Sequence, residues 1–113
     1  MILSTHPSKP KEAQVMMNHK VKHFKIENLF DEVHATRPYP ESKGEFILKI
    51  LKRRKIQKSK ALMVGDSYIW DYEPARNNGI DALLIKSKYM HEHLSVKDVK
   101  VKINKLSDIF NYI

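Results

Sequence analysis

The sequence predicts an α/β fold of three layers, in which an open, mostly parallel sheet of about five strands carries helices on both faces. Three observations carry that expectation. Short apolar runs alternate with stretches of helical periodicity along the chain, and such alternation builds parallel sheets through crossover helices. The run Ala61–Val64 and the run that fills Asp81–Ile85 are continuously apolar, as strands covered on both faces are. Glycine and acidic residues follow the first run at once, and the carboxyl ends of strands are where open α/β sheets build their sites.

Taken in order, Met1–Leu3 form a short strand that runs into a polar loop at Ser4, Thr5, His6 and Pro7. Ser8 and Pro10 mark a helix start, and Ala13, Met16 or Met17, Val21 and Phe24 recur at helical spacing, so a helix is expected from residue 9 to about 24. Leu29, Phe30 and Val33 suggest a short extended segment, and Pro38 and Pro40 break regular structure after it. A second helix carries Phe46, Ile47, Ile50 and Leu51 on one stripe, with Lys49, Lys52 and Arg53 facing away. After the strand Ala61–Val64, a short helix is expected from Tyr72 to Asn78, with Pro74 in its first turn and Gly79 just past its end. The strand Asp81–Ile85 follows, then a polar loop over Lys86–Lys97. Val99, Val101 and Ile103 alternate with lysines as in an edge strand, and Leu106, Ile109, Phe110 and Ile113 complete a last amphipathic helix.

The chain's 113 residues suit one domain, and their hydrophobic share of 42% is too high for disorder. No apolar run approaches the roughly 20 residues of a membrane helix, and the opening residues lack the apolar stretch of a signal peptide. The absence of cysteine excludes disulfides, zinc ribbons and thiol nucleophiles. A cytoplasmic protein is the expectation. The net charge of +8 raises nucleic acid as a partner, but the lysines are spread along the chain, and a Lys-rich surface explains them better. The one dense cluster is Lys49, Lys52, Arg53, Arg54, Lys55, Lys58 and Lys60. His19 and His23 stand four apart on a helix, a spacing that can bind zinc, but no third ligand accompanies them. His91 and His93 fall in a polar loop, and Trp70 with five tyrosines makes no stacking platform for successive bases.

The chemistry gathers after Val64, in Gly65-Asp66-Ser67-Tyr68-Ile69-Trp70-Asp71. Gly65 lets the backbone turn sharply, Asp66 points into the crevice, and Asp71 returns at the next helix. Two carboxylates there suit magnesium, a hard cation that takes oxygen ligands and keeps waters. The same residues also suit a structural pattern in which Asp66 makes a turn and Asp71 caps a helix.

The segment ALMVGDSYIWDYEPARNNGIDALLI resembles the fourth motif of the haloacid dehalogenase-like superfamily with its following helix and strand. The family pattern is an apolar strand, Gly-Asp-Ser, a spacer, an acid, Ala, and Gly-Ile before another apolar strand. Gly65-Asp66-Ser67, Asp71, Ala75 and Gly79-Ile80 match it. Trp70 departs from it, since the family often has a small polar residue there. Leu29-Phe30-Asp31 is similar to a family segment that precedes this region. The resemblance implies a Rossmann-like fold and magnesium-dependent hydrolysis of a small phosphorylated molecule. Asp66 and Asp71 would bind Mg2+, and Ser67 would orient a ligand or water. Lys43 would steady phosphate and nucleophile, with Arg37 before Pro38 as the alternative cation. Ser4 would bind a phosphate oxygen, with Thr5 as its substitute.

The family nucleophile is an Asp at the end of a first strand, followed two residues later by an acid/base Asp. Only Met1, Ile2 and Leu3 precede Ser4, and Asp31 follows no apolar strand and has Val33 in the acid/base place. The chain is therefore expected to be a single partial core domain over residues 1–113, truncated, split or wrongly started, that lacks the family's first strand and is inactive alone. The expected partners are a complementing N-terminal fragment or further copies of the chain, with neither nucleic acid nor membrane. The alternative is a non-catalytic binding or regulatory module derived from the family.

Overall fold

The computed structural model describes residues 1–5, 10–36, 42–86 and 102–113. Its elements are β1 (Ile2–Thr5), α1 (Pro10–His23), β2 (Val33–Thr36), α2 (Lys43–Arg54), β3 (Leu62–Gly65), α3 (Glu73–Asn77), β4 (Asp81–Ile85) and β5 (Lys102–Ile103). All strand pairs are parallel, as the alternation of runs and helices predicts. Among the described residues they form two sheets, β1–β2 and β3–β4–β5. The chain divides into two compact units, Met1–Lys43 and Gly44–Ile113.

In the first unit, Ile2 to Thr5 stand opposite Val33 to Thr36. Ser4 and Thr5 thus have strand backbones, where the sequence suggests a loop. Helix α1 packs on β2 and buries Ala13, Met17 and Val21, a stripe of period four. Met16 and Phe24 stay exposed. Gln14, one residue along from that stripe, does what the periodicity cannot show. Its amide nitrogen donates to the Val33 carbonyl at 2.8 Å, and its oxygen accepts the Ala35 N–H at 3.0 Å. One side chain thereby supplies the donor and acceptor that a further strand would offer to β2, and so covers a sheet edge. A 3₁₀ turn, Glu27–Leu29, takes the first residue of the expected extended segment, Phe30 has extended backbone, and the strand itself begins at Val33.

In the second unit, Leu62 to Gly65 pair with Asp81 to Leu84, and Leu84 and Ile85 pair with Lys102 and Ile103. β4 has neighbours on both sides, and Ala82, Leu83 and Leu84 are buried. Among the described residues β3 has one neighbour, and all four of its residues are half-buried although its sequence is that of an interior strand. Helix α2 buries Gly44, Ile47, Ile50 and Leu51. Gly44 allows a close approach, because a Cβ there would overlap the Pro74 carbonyl and the Asn78 amide. The expected C-terminal helix is a 3₁₀ turn, Leu106–Asn111, and the Asn104 and Lys105 N–H groups just before it donate to the Asp108 carboxylate. Leu106, Phe110 and Ile113 remain exposed, so it gains little burial to hold a longer helix.

The three α-helices of the described residues end alike. Ile26, Ile56 and Ile80 donate backbone N–H bonds of 3.0, 2.9 and 3.0 Å to Val21, Leu51 and Ala75, five residues back. The residues before them, Lys25, Lys55 and Gly79, adopt φ of 56°, 56° and 76° and bond three residues back. Each is a Schellman ending with an apolar residue after the left-handed one. Gly79 takes that conformation without strain, whereas each lysine costs about 1–2 kcal/mol.

Candidate active site

The turn after β3 is built from its own backbone. Ser67 is extended, and its carbonyl accepts the N–H groups of Asp71 and Tyr72 at 3.0 and 3.1 Å. That double bond defines one wide turn of π type over Tyr68–Tyr72, which runs directly into α3 through the Glu73 N–H on the Tyr68 carbonyl. The Ser67 hydroxyl accepts the Trp70 N–H at 3.2 Å. Tyr68 and Tyr72 stack with ring centres 5.6 Å apart.

Asp71 is 6% exposed, and its Oδ2 accepts the Ser67 N–H at 3.1 Å. A Cβ on Gly65 would overlap the Cβ, Cγ and Oδ2 of Asp71. The carboxylate is therefore folded back against the residues on either side of Asp66, and only glycine at position 65 leaves room for it. Asp66 lies at the bend between them, half-exposed. Asp71 does not cap α3. The residue in the capping place is Tyr72, with no side-chain bond, because the wide turn already supplies carbonyls to the first N–H groups of that helix. This removes the helix-cap explanation of Asp71 and leaves its buried carboxylate held against the two residues that flank Asp66. Ser67 shapes the turn through both its hydroxyl and its peptide.

The other expected site residues belong to the first unit. Lys43 opens α2 and is half-buried. Ser4 and Thr5 lie in β1 opposite Ala35 and Thr36, and their side chains fall outside the described part. Arg37 lies outside the described residues, as do His91 and His93. His19 and His23 are exposed on α1, and among the described residues no three acidic, histidine or cysteine side chains converge as a metal cage. The basic cluster is exposed at the carboxyl end of α2 and just beyond it, where cations face the negative end of the helix dipole. An open cavity of about 270 Å³ touches Leu62, Arg76, Asp81 and Tyr112. It lies at the amino ends of β3 and β4, opposite Asp66. Among the described residues no helix is long and apolar enough to cross a membrane.

A family model, haloacid dehalogenase-like hydrolase, matches residues 10–85. Curated proteins give no match. Among solved structures, a haloacid dehalogenase-like family hydrolase from Streptococcus pneumoniae is similar with a TM-score of 0.70 and 20% identity, covering 89% of this chain and 48% of that one. A candidate phosphatase from Clostridium difficile gives 0.69 and 23%, covering 98% and 52%. A candidate phosphoglycolate phosphatase from Lactobacillus delbrueckii subsp. bulgaricus gives 0.65 and 18%, covering 98% and 45%. The chain spans about half the length of these structures, and the likeness to them is one of fold. The family match runs through α1, β3, β4 and the Gly65–Asp71 turn, and with it the chain belongs to the haloacid dehalogenase-like hydrolases.

Proposed function

We propose that the chain carries the metal-binding end of a magnesium-dependent phosphate monoester hydrolase that acts on a small phosphorylated molecule in the cytoplasm. The observation that carries this reading is the return of Asp71 onto Gly65 and Ser67, which brings a buried carboxylate back to the two residues that flank Asp66. Two carboxylates from one turn fit Mg2+, which takes one or two and keeps several waters. When bound, the metal would supply charge for the phosphoryl oxygens. Lys43, or Arg37 in its stead, would hold phosphate and balance the carboxylates, and Ser4 or Thr5 would bind a phosphate oxygen. The candidate phosphatases among the similar structures support the phosphate side of the proposal.

The 113 residues contain no Asp-x-Asp. Hydrolysis by the family's route needs that pair, from a further segment in cis or in trans. β3 suits such an addition, since it pairs with β4 on one side and its apolar residues stay half-exposed. Titration with magnesium, followed by NMR of Gly65–Asp71, tests the metal reading. Shifts at millimolar metal that vanish in Asp66→Asn are expected. Unmoved signals would reduce both acids to structural residues. The 113-residue chain should turn over no aryl phosphate until a strand ending in Asp-x-Asp is supplied.

A further inference from the structure

Asn78 and Gly79 join α3 to β4, and their order carries a chemistry that the metal turn does not use. Asn78 is the only asparagine followed by glycine, whereas Asn18, Asn28, Asn77, Asn104 and Asn111 precede larger side chains. Glycine has no Cβ, so its peptide nitrogen is open to the carboxamide before it. Gly79 is exposed, so water and hydroxide reach that nitrogen, while Asn78 is half-buried. The fold holds the two groups apart. Asn78 Nδ2 donates to the Pro74 carbonyl at 2.7 Å, and the Gly79 N–H donates to the Arg76 carbonyl at 3.0 Å. The carboxamide also meets Gly44 of α2, where an added Cβ would overlap both Asn78 Nδ2 and the Pro74 carbonyl oxygen. It is therefore clamped between α2 and α3 and directed back to residue 74, away from the nitrogen of residue 79.

We propose that Asn78 is a site of spontaneous deamidation, that the contact of α2 with α3 gates it, and that the product undoes that contact. Local opening at the end of α3 frees both groups. The Gly79 nitrogen, having given its proton to hydroxide, attacks Asn78 Cγ. The new Cγ–N bond closes a five-membered succinimide, and Nδ2 takes a proton from water and leaves as ammonia. Water then adds to either ring carbonyl and breaks its bond to nitrogen. The result is aspartate, or an isoaspartate whose backbone runs through the side chain. One water is taken up and one ammonia lost, with no oxidant or reductant. Either product replaces the Nδ2 donor by a carboxylate, which only accepts, where the Pro74 carbonyl needs a donor.

The full chain is incubated in mildly alkaline buffer with and without unfolding guanidinium chloride. Mass spectrometry follows the peptides, and enzymatic methylation marks isoaspartate. Conversion should centre on Asn78 and run about tenfold faster in denaturant, the factor that two hydrogen bonds of ordinary strength impose. Gly44→Ala, which drives the carboxamide from its place, should speed conversion in buffer alone. If that variant unfolds, hydrogen exchange of Gly79 in the unaltered chain takes its place, and exchange and deamidation should rise together below the unfolding transition. Asn78→Asp, which copies one product, should melt lower than the unaltered chain, while Asn77→Asp, at an exposed position, should not. Equal rates with and without denaturant, conversion no faster at Asn78 than at the other asparagines, or an Asn78→Asp chain that melts unchanged would overturn the proposal. A folded Gly44→Ala chain with an unaltered rate would do the same.

Discussion

The two units hold themselves together by different means. In Met1–Lys43 one helix lies on a two-stranded sheet, and the described apolar core is Ala13, Met17 and Val21. In Gly44–Ile113 the core runs through α2, α3, β4 and β5, from Ile47 to Ile103, and Ala75, Ile80 and Leu84 are fully enclosed. The smaller unit fastens its sheet edge with a polar side chain, Gln14 on Val33 and Ala35. The larger relies on apolar packing and spends one internal position on a carboxylate, Asp71. The difference teaches where a charge can be kept. A buried acid needs a surround that stays folded without it, and the unit with the deeper apolar core is the one that carries the candidate metal turn.

Substitutions at six positions break or sharpen this comparison. Leu84→Ala should be the most damaging, at about 3–5 kcal/mol, because β4 is paired on both sides and its collapse is restrained. Met17→Ala should cost less, about 2 kcal/mol, since a one-helix layer can relax into the space. Urea unfolding read by circular dichroism compares them, and equal costs would undo the distinction between the units.

Gly65→Ala comes next, at about 2–3 kcal/mol, because its Cβ would drive the Asp71 carboxylate from its place. Thermal melting measures the loss. NMR should show the Ser67 amide moving most, and a silent substitution would mean that Asp71 is not wedged against residue 65.

In the smaller unit, Gln14→Leu leaves the Val33 carbonyl and the Ala35 N–H without their partner, for a loss of about 1–2 kcal/mol. Hydrogen exchange should speed up at Ala35, and light scattering should detect self-association through the uncovered edge. Gln14→Glu can still accept from Ala35 but places charge against the Val33 carbonyl, so it should not restore the native stability.

The smallest effect is a gain. Lys25→Gly and Lys55→Gly relieve left-handed lysines and should each add about 0.5–1 kcal/mol, one in each unit. Chemical denaturation is the measure, and a loss at either position would show that the lysine side chain makes a contact worth more than the strain.

Much of the candidate site was legible in the sequence. Gly65, Asp66 and Asp71 follow the apolar run that becomes β3, and strand ends in parallel sheets expose the residue that follows them. What periodicity missed is the wide turn. It predicts a helix at Tyr72 with Asp71 as its cap, whereas the chain turns from Tyr68 and Asp71 bonds backwards to Ser67. A turn of five residues has no apolar period of its own, so pattern reading passes over it. The lysine helix endings were hidden for a related reason. Gly79 is a strong signal of a left-handed ending, but at Lys25 and Lys55 only the following isoleucine marks the motif.

The sequence by itself determined the class of fold, the parallel direction of the strands, the place of α2 and β4, and the two acids that follow β3. These depend on local periodicity and on residues whose backbone or charge preference needs no distant partner. The tertiary structure decided which neighbours each element receives. β3 reads as an interior strand but has one neighbour among the described residues, and Gln14 reads as a polar helix residue but serves as an edge strand's partner. The physical reason is that hydrogen-bond partners and close approaches, such as Asp71 against Gly65, are set by where the chain returns in space, and a one-dimensional pattern of apolar and polar residues does not encode that return.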